Sequence, residues 1–182
     1  MSGAAILIYY YLPTDFFLVA PKVAVLLAAL AAVVLIEILR HTAGLELPTI
    51  RPYESRRIGS FVFYSLALVV AVLFFPLAVG AAVVLGTAWV DPLAGELRRV
   101  STSIPLTVGV PLVTYELLAV VGLVGFGGWP WAPAVGLAAG AAVIAVAAER
   151  PKWPWVDDDL AMMILPAVFL FVTGVVLLGL PG

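Results

Sequence analysis

At 182 residues, 64% hydrophobic and with a mean hydropathy of +1.19, the chain carries more apolar surface than a soluble domain of its size can hide from water. A net charge of −2 argues against a nucleic-acid partner, and the absence of cysteine excludes disulfide frameworks, zinc–thiolate sites and thiol nucleophiles. The bilayer is the solvent that fits this composition, and no basic segment precedes the first apolar stretch, which argues against a cleaved signal peptide.

A helix needs about 20 apolar residues to cross a hydrocarbon core of about 30 Å. In chain order the opening run, residues 4–12, ends at Pro13 and is too short to cross. It is expected to lie in the interface, with Tyr9, Tyr10 and Tyr11 at headgroup depth. Six spans follow, at about residues 16–40, 58–75, 77–97, 103–125, 131–149 and 160–180. The expected fold is therefore an all-α polytopic membrane bundle of about six helices, with residues 1–182 forming one integral membrane domain.

The loops alternate in kind. Phe75-Pro76 and Gly125-Phe126-Gly127-Gly128-Trp129-Pro130-Trp131 carry no charge, and the tryptophans of the second suit an interface. All Lys and Arg residues except Lys22, which lies within the first apolar stretch, fall in or beside the other three loops. The positive-inside rule puts those three loops in the cytoplasm and both termini outside.

Four groups of residues on that face have chemistry to offer. Pro92 lacks an N–H and pushes Asp91 away from helical dihedrals, so a broken helix restarting at Pro92 with Asp91 as its N-cap is expected. Asp91 is then either a cap at the bilayer edge or a cation ligand. Asp157, Asp158 and Asp159 precede the last span. Three adjacent carboxylates repel one another, and their hard oxygens suit Mg²⁺ carrying a nucleotide phosphate, although a solvated acidic helix start is the plainer alternative. Arg98 and Arg99, with Ser101, Thr102 and Ser103 at the start of the fourth span, offer donors and a helix N-terminus to a phosphate. Arg56 and Arg57, ahead of the second span, and Lys152 belong to the same basic ring, which serves anionic headgroups or orientation equally well.

Two acids lie deeper. Glu37 is near the inner end of the first span. Glu116, near the middle of the fourth, must be paired, protonated or beside water, and Tyr64 or Ser65 is a possible partner if those helices touch. His41 alone carries no functional signal.

Three stretches resemble the CTP-dependent polyprenol kinase family, which includes dolichol kinase, phytol kinase and the CTP-using diacylglycerol kinase of yeast. The first is Arg56-Arg57-Ile58-Gly59-Ser60 leading to Phe75-Pro76. The second is Trp89-Val90-Asp91-Pro92-Leu93-Ala94-Gly95. The third is Glu149-Arg150-Pro151 followed by Asp157-Asp158-Asp159-Leu160 and Pro166. Asp159 stands where the family has Asn, and residues 101–109 lack the family's Lys.

The resemblance implies transfer of the terminal phosphoryl group of CTP to a lipid alcohol, polyprenol-like or diacylglycerol-like. Asp91, Asp157, Asp158 and Asp159 would hold Mg²⁺. Arg56, Arg57, Arg98, Arg99, Ser101, Ser103 and Lys152 would surround the phosphates, and Asp91 and Asp158 would serve catalysis. Membrane lipids are the expected surroundings, and a homodimer is compatible with the resemblance. A cytidylyltransferase making a CDP-lipid is the nearest alternative. A small transporter using Glu37 and Glu116 is the alternative of another class, although the two halves show no evident repeat.

Overall fold

A computed structural model describes residues 2–12, 21–44, 57–149 and 157–181. Arg56 and Lys152 lie outside the described residues. The described residues are helical, with no strand among them. A 3₁₀ helix, Ser2–Tyr11, precedes six helices: α1 (Lys22–Ala43), α2 (Ser60–Phe74), α3 (Leu77–Val100), α4 (Pro105–Phe126), α5 (Trp131–Ala148) and α6 (Asp158–Leu177). All but α2 are long and apolar enough to cross a membrane. The 15 residues of α2 rise only about 22 Å. Lipid cannot hydrogen-bond a bare backbone, so helices satisfying their own N–H and C=O groups are the form these runs take.

Short uncharged turns make neighbouring helices antiparallel. Phe75 and Pro76 are both extended, ending α2 and starting α3. Gly128, at φ +67°, turns the chain between α4 and α5. Trp131 is exposed, as an interfacial residue should be, but Trp129 is not. Trp129 is fully buried, and its indole N–H donates to the Pro181 carbonyl at 2.7 Å, fastening this turn to the end of α6. A buried indole needs such a partner, and the chain's last residues supply it.

α3 is the central helix. Two-thirds of its apolar window is buried, against 6% for α1, and it packs on α2, α4, α6 and the opening 3₁₀ helix. Apolar side chains gain little by leaving lipid for protein, so small residues that let backbones approach do most of the packing. On α5, Ala134, Ala138, Ala141, Ala142 and Ala145 are fully buried. Gly122 of α4 lies directly against the Ala82 backbone of α3.

α1 stands apart and is clipped at both ends. Lys22 is its first residue rather than a mid-span charge. Its ammonium donates to the carbonyls of Tyr9 and Leu12 at 3.3 and 3.2 Å and sits 4.7 Å over the Tyr9 ring. At the other end Glu37 is buried and takes two bonds from Arg40, at 2.8 and 2.7 Å, and one from the Gly59 N–H at 2.8 Å. His41 joins this knot, with Nε2 3.3 Å from Glu37 Oε1. The same knot holds the carbonyl of Arg57, so α1 is tied to the segment that starts α2. Among the opening tyrosines, Tyr11 is exposed. Tyr10 turns inward, its hydroxyl donating toward the carbonyls of Ala71 and Phe75 at 3.4 and 3.3 Å.

The close approach at Gly122 gives a direct test of this packing. Gly122→Ala drives a methyl into the Ala82 backbone and should cost about 1–3 kcal/mol, read as a lower melting temperature in detergent. Gly136→Ala, on an open helix face, should leave the melting temperature unchanged or raise it.

Candidate functional site

The charged ends of α1, α2, α3, α5 and α6 meet at one end of the bundle. α3 is the long member: Asp91 lies nine residues before its end at Val100, on the order of 14 Å inside it. At that level α3 meets the first turns of α2 and α6. A cleft of about 260 Å³ opens there, lined by Ser60, Phe61 and Tyr64 of α2, Thr87, Ala88, Asp91 and Pro92 of α3, and Asp159 of α6. Tyr64 lies within electrostatic reach of both Asp159 and Asp91. Two carboxylates 68 positions apart in sequence thus share one cavity.

The helix does not break at Pro92. α3 runs unbroken from Leu77 to Val100 with Pro92 inside it, so Asp91 is a mid-helix residue and not an N-cap. In an isolated segment the proline rule would end the helix. In a membrane, unwinding would expose more backbone than one proline removes, and packing against α2, α4 and α6 supports the continuous form. Pro92 still cannot donate to the Ala88 carbonyl one turn below, and both residues line the cleft.

The acidic triplet begins α6. Asp157 is the N-cap, its carboxylate accepting from the Asp159 N–H at 3.1 Å. One carboxylate oxygen from each of Asp157, Asp158 and Asp159 can be chosen so that all lie within 4.8 Å of one another. Their roles separate by direction: Asp159 lines the cleft, while Asp158 acts electrostatically on Glu149. The donor set of clustered, half-buried carboxylate oxygens fits a hard divalent cation such as Mg²⁺.

Glu149 was not singled out as a site residue from sequence, and the structure puts it at the neck of the cluster. It follows α5, is 5% exposed, and forms an ion pair with Arg98 of α3, which is 46% exposed. Burial pushes the Glu149 carboxyl above the ordinary carboxylate range. Arg98 pulls it down, and Asp91 and Asp158 add to the rise. The Arg98–Glu149 pair ties the ends of α3 and α5 together, with Asp91 and Asp158 within electrostatic reach of it. Only the Glu149-Arg150-Pro151 stretch hinted at this from sequence.

The remaining basic and hydroxyl residues are held locally. Arg99 is exposed and pairs with Glu96 of its own helix at 3.3 Å. Ser101 Oγ accepts from the Ser103 N–H at 3.1 Å, an arrangement internal to the turn before α4. Among the described residues, no hydrogen bond or ion pair links Arg99, Ser101 or Ser103 to the cleft. The Arg57 side chain is exposed, and its carbonyl serves the Glu37–Arg40 knot. Glu116 is half-buried and makes no hydrogen bond or ion pair among the described residues. It does not pair with Tyr64, which faces Asp91 and Asp159 instead.

No protein-family model, no curated protein and no solved structure matches this chain.

The raised Glu149 carboxyl has a consequence for stability. Its contribution is complete below the unfolded-state value and is lost as pH rises through the higher folded-state value. Measured against Glu149→Gln, the wild-type melting temperature in detergent and EDTA should therefore fall as pH rises through that window, scanned from about pH 4 to pH 8. Glu149→Gln, which cannot titrate, should remove that part of the slope.

Proposed function

We propose that the protein is a lipid-alcohol kinase working at the cytoplasmic membrane surface, with a CTP-type nucleotide as phosphoryl donor. The observation that carries this reading is the cleft lined by both Asp91 of α3 and Asp159 of α6, at the end of the bundle that also holds the acidic triplet and the Arg98–Glu149 pair. The motif order Arg56-Arg57, Asp91, Glu149 and Asp157-Asp158-Asp159 resembles the CTP-dependent polyprenol kinases and supplies the choice of nucleotide.

Asp91 and Asp159, with Asp157 and Asp158 beside them, would hold Mg²⁺, which when bound neutralises phosphate charge. Arg98 stands next to this cluster with half of its surface in solvent and offers donors to a phosphate oxygen. The lipid's apolar chain stays among the helices, and its hydroxyl rises into the cleft. An oxygen lone pair of the alcohol forms the new O–P bond, and the bond from the terminal phosphorus to the bridging oxygen breaks with its pair leaving on CDP. The hydroxyl proton passes to a cleft carboxylate. Asp159 or Asp91 is better placed for this than Asp158, because both line the cavity. Products are a lipid monophosphate, CDP and a proton. Catalysis of this kind rests on positioning and electrostatics more than on covalent chemistry.

Purified protein given Mg²⁺-CTP and a panel of polyprenols, phytol and diacylglycerol should yield a lipid monophosphate and CDP. Asp91→Asn and Asp159→Asn should each lower turnover by about 100-fold or more. No transfer from any nucleoside triphosphate would end the kinase reading, and a CDP-lipid with pyrophosphate would replace it with a cytidylyltransferase.

Orientation is open to a separate test, because the chain contains no cysteine. Thr102→Cys and Leu178→Cys both place a thiol at an exposed site. An impermeant maleimide added to intact cells should label the second and not the first.

A further inference from the structure

Thr87 is the fully buried polar residue of the cleft, and the reading above leaves its chemistry unused. It is fully buried, it lines the cavity, and its hydroxyl makes no hydrogen bond. Behind it lies Tyr115, also fully buried, whose hydroxyl likewise has no hydrogen-bond partner. The two hydroxyls are neighbours that do not meet hydrogen-bond geometry. The fit at this spot is close: a Cβ at Gly86 would lie 2.6 Å from Tyr115 Cε2, so Tyr115 is held against α3 with its ring as a back wall. A buried hydroxyl with no partner is costly, and one that lines a cavity is suited to a hydrogen bond from a ligand atom bound there.

Position decides what that ligand is. Thr87 and Asp91 are four residues apart on α3, so both side chains fall on one face, with Thr87 about 6 Å deeper. The cleft is therefore graded. Its rim carries Ser60, Asp91 and Asp159, and its inner part carries Phe61, Tyr64, Ala88 and Thr87, whose hydroxyl is buried without a hydrogen bond. A hydrated cation and its phosphates belong with the carboxylates at the rim, since Mg²⁺ gives up its waters reluctantly. A hydroxyl on an apolar chain matches the inner part: its carbon chain lies against Phe61 and Ala88, and its oxygen exchanges a hydrogen bond with Thr87.

We infer that Thr87 forms the floor of an acceptor subsite, where its hydroxyl holds the alcohol group of a membrane lipid one helical turn below Asp91. The inference rests on the lipid-alcohol reading of the cleft and adds the residue that selects the acceptor. A hydroxyl fixed at Thr87 sits below the rim and faces phosphorus held at Asp91 and Asp159, the arrangement an attacking oxygen needs.

The test is direct binding in nanodiscs of radiolabelled phytol, a C20 prenol and dioleoylglycerol, with Mg²⁺-CTP affinity measured in parallel. Wild type should bind at least one alcohol. Thr87→Val, which keeps the shape and removes the hydroxyl, should weaken that binding about tenfold, the worth of one hydrogen bond, and leave Mg²⁺-CTP affinity within twofold. Thr87→Ser should restore alcohol binding, and Tyr115→Phe should leave it unchanged. Equal alcohol binding by wild type and Thr87→Val, no binding of any alcohol by wild type, or an equal loss of nucleotide affinity would each overturn the inference. Alcohol binding that depends on Thr87 without phosphoryl transfer would support the subsite while ending the kinase reading.

Discussion

An ionised or unpaired polar group in hydrocarbon has no water to turn to, and the arrangement of this bundle follows from that cost. Its clearest expression is Glu37. Buried near the end of an otherwise lipid-facing helix, it is satisfied by Arg40 on its own helix and by the Gly59 N–H across the gap. One carboxylate thereby closes α1 onto the start of α2, where little apolar packing is available to do so. Lys22 does the equivalent at the opposite end by spending its ammonium on two carbonyls and an aromatic face. Glu149 and Arg98 repeat the solution between α5 and α3.

The same constraint explains why alanine and glycine stand at the closest approaches of α3, α4 and α5. Burying a leucine in protein instead of lipid changes little, whereas bringing two helix backbones together gains dispersion contacts along their whole length. Gly122 against Ala82 and the alanine ladder of α5 achieve that approach. Tight packing deeper in the bundle then gives way to a cavity at the charged end, because α2 and α6 begin at the level of Asp91 while α3 continues past them. The cleft is a product of unequal helix lengths: α3 has 24 residues and α2 has 15.

Helix number and turns were legible in the sequence because a bilayer filters hydropathy along one dimension. Each described helix falls within a few residues of its expected span apart from the start of α1, where Pro21 is the N-cap and the helix begins at Lys22. What failed were local rules overridden by tertiary packing. Pro92 reads as a break, yet it sits in a continuous helix. Trp129 reads as an interfacial anchor, yet it is buried against the chain's end. The candidate site was legible as residue types on one face but not as a geometry. No spacing rule says that Asp159 lines the cleft while Asp158 is not among its lining residues. The buried, unpartnered hydroxyl of Thr87 has no signature in an apolar run at all.

The charge balance of the site also constrains the order in which ligands would assemble on the proposed reading. Asp91, Asp157, Asp158, Asp159 and Glu149 lie at one end of the bundle, where Arg98 pairs with Glu149. Such a concentration of carboxylates repels a bare triphosphate. It attracts a divalent cation, and it accepts phosphate only together with one. The nucleotide is therefore expected to enter as its metal complex at the rim. The alcohol, carrying no charge, is free to arrive from the lipid side, so the two substrates need not compete for one path.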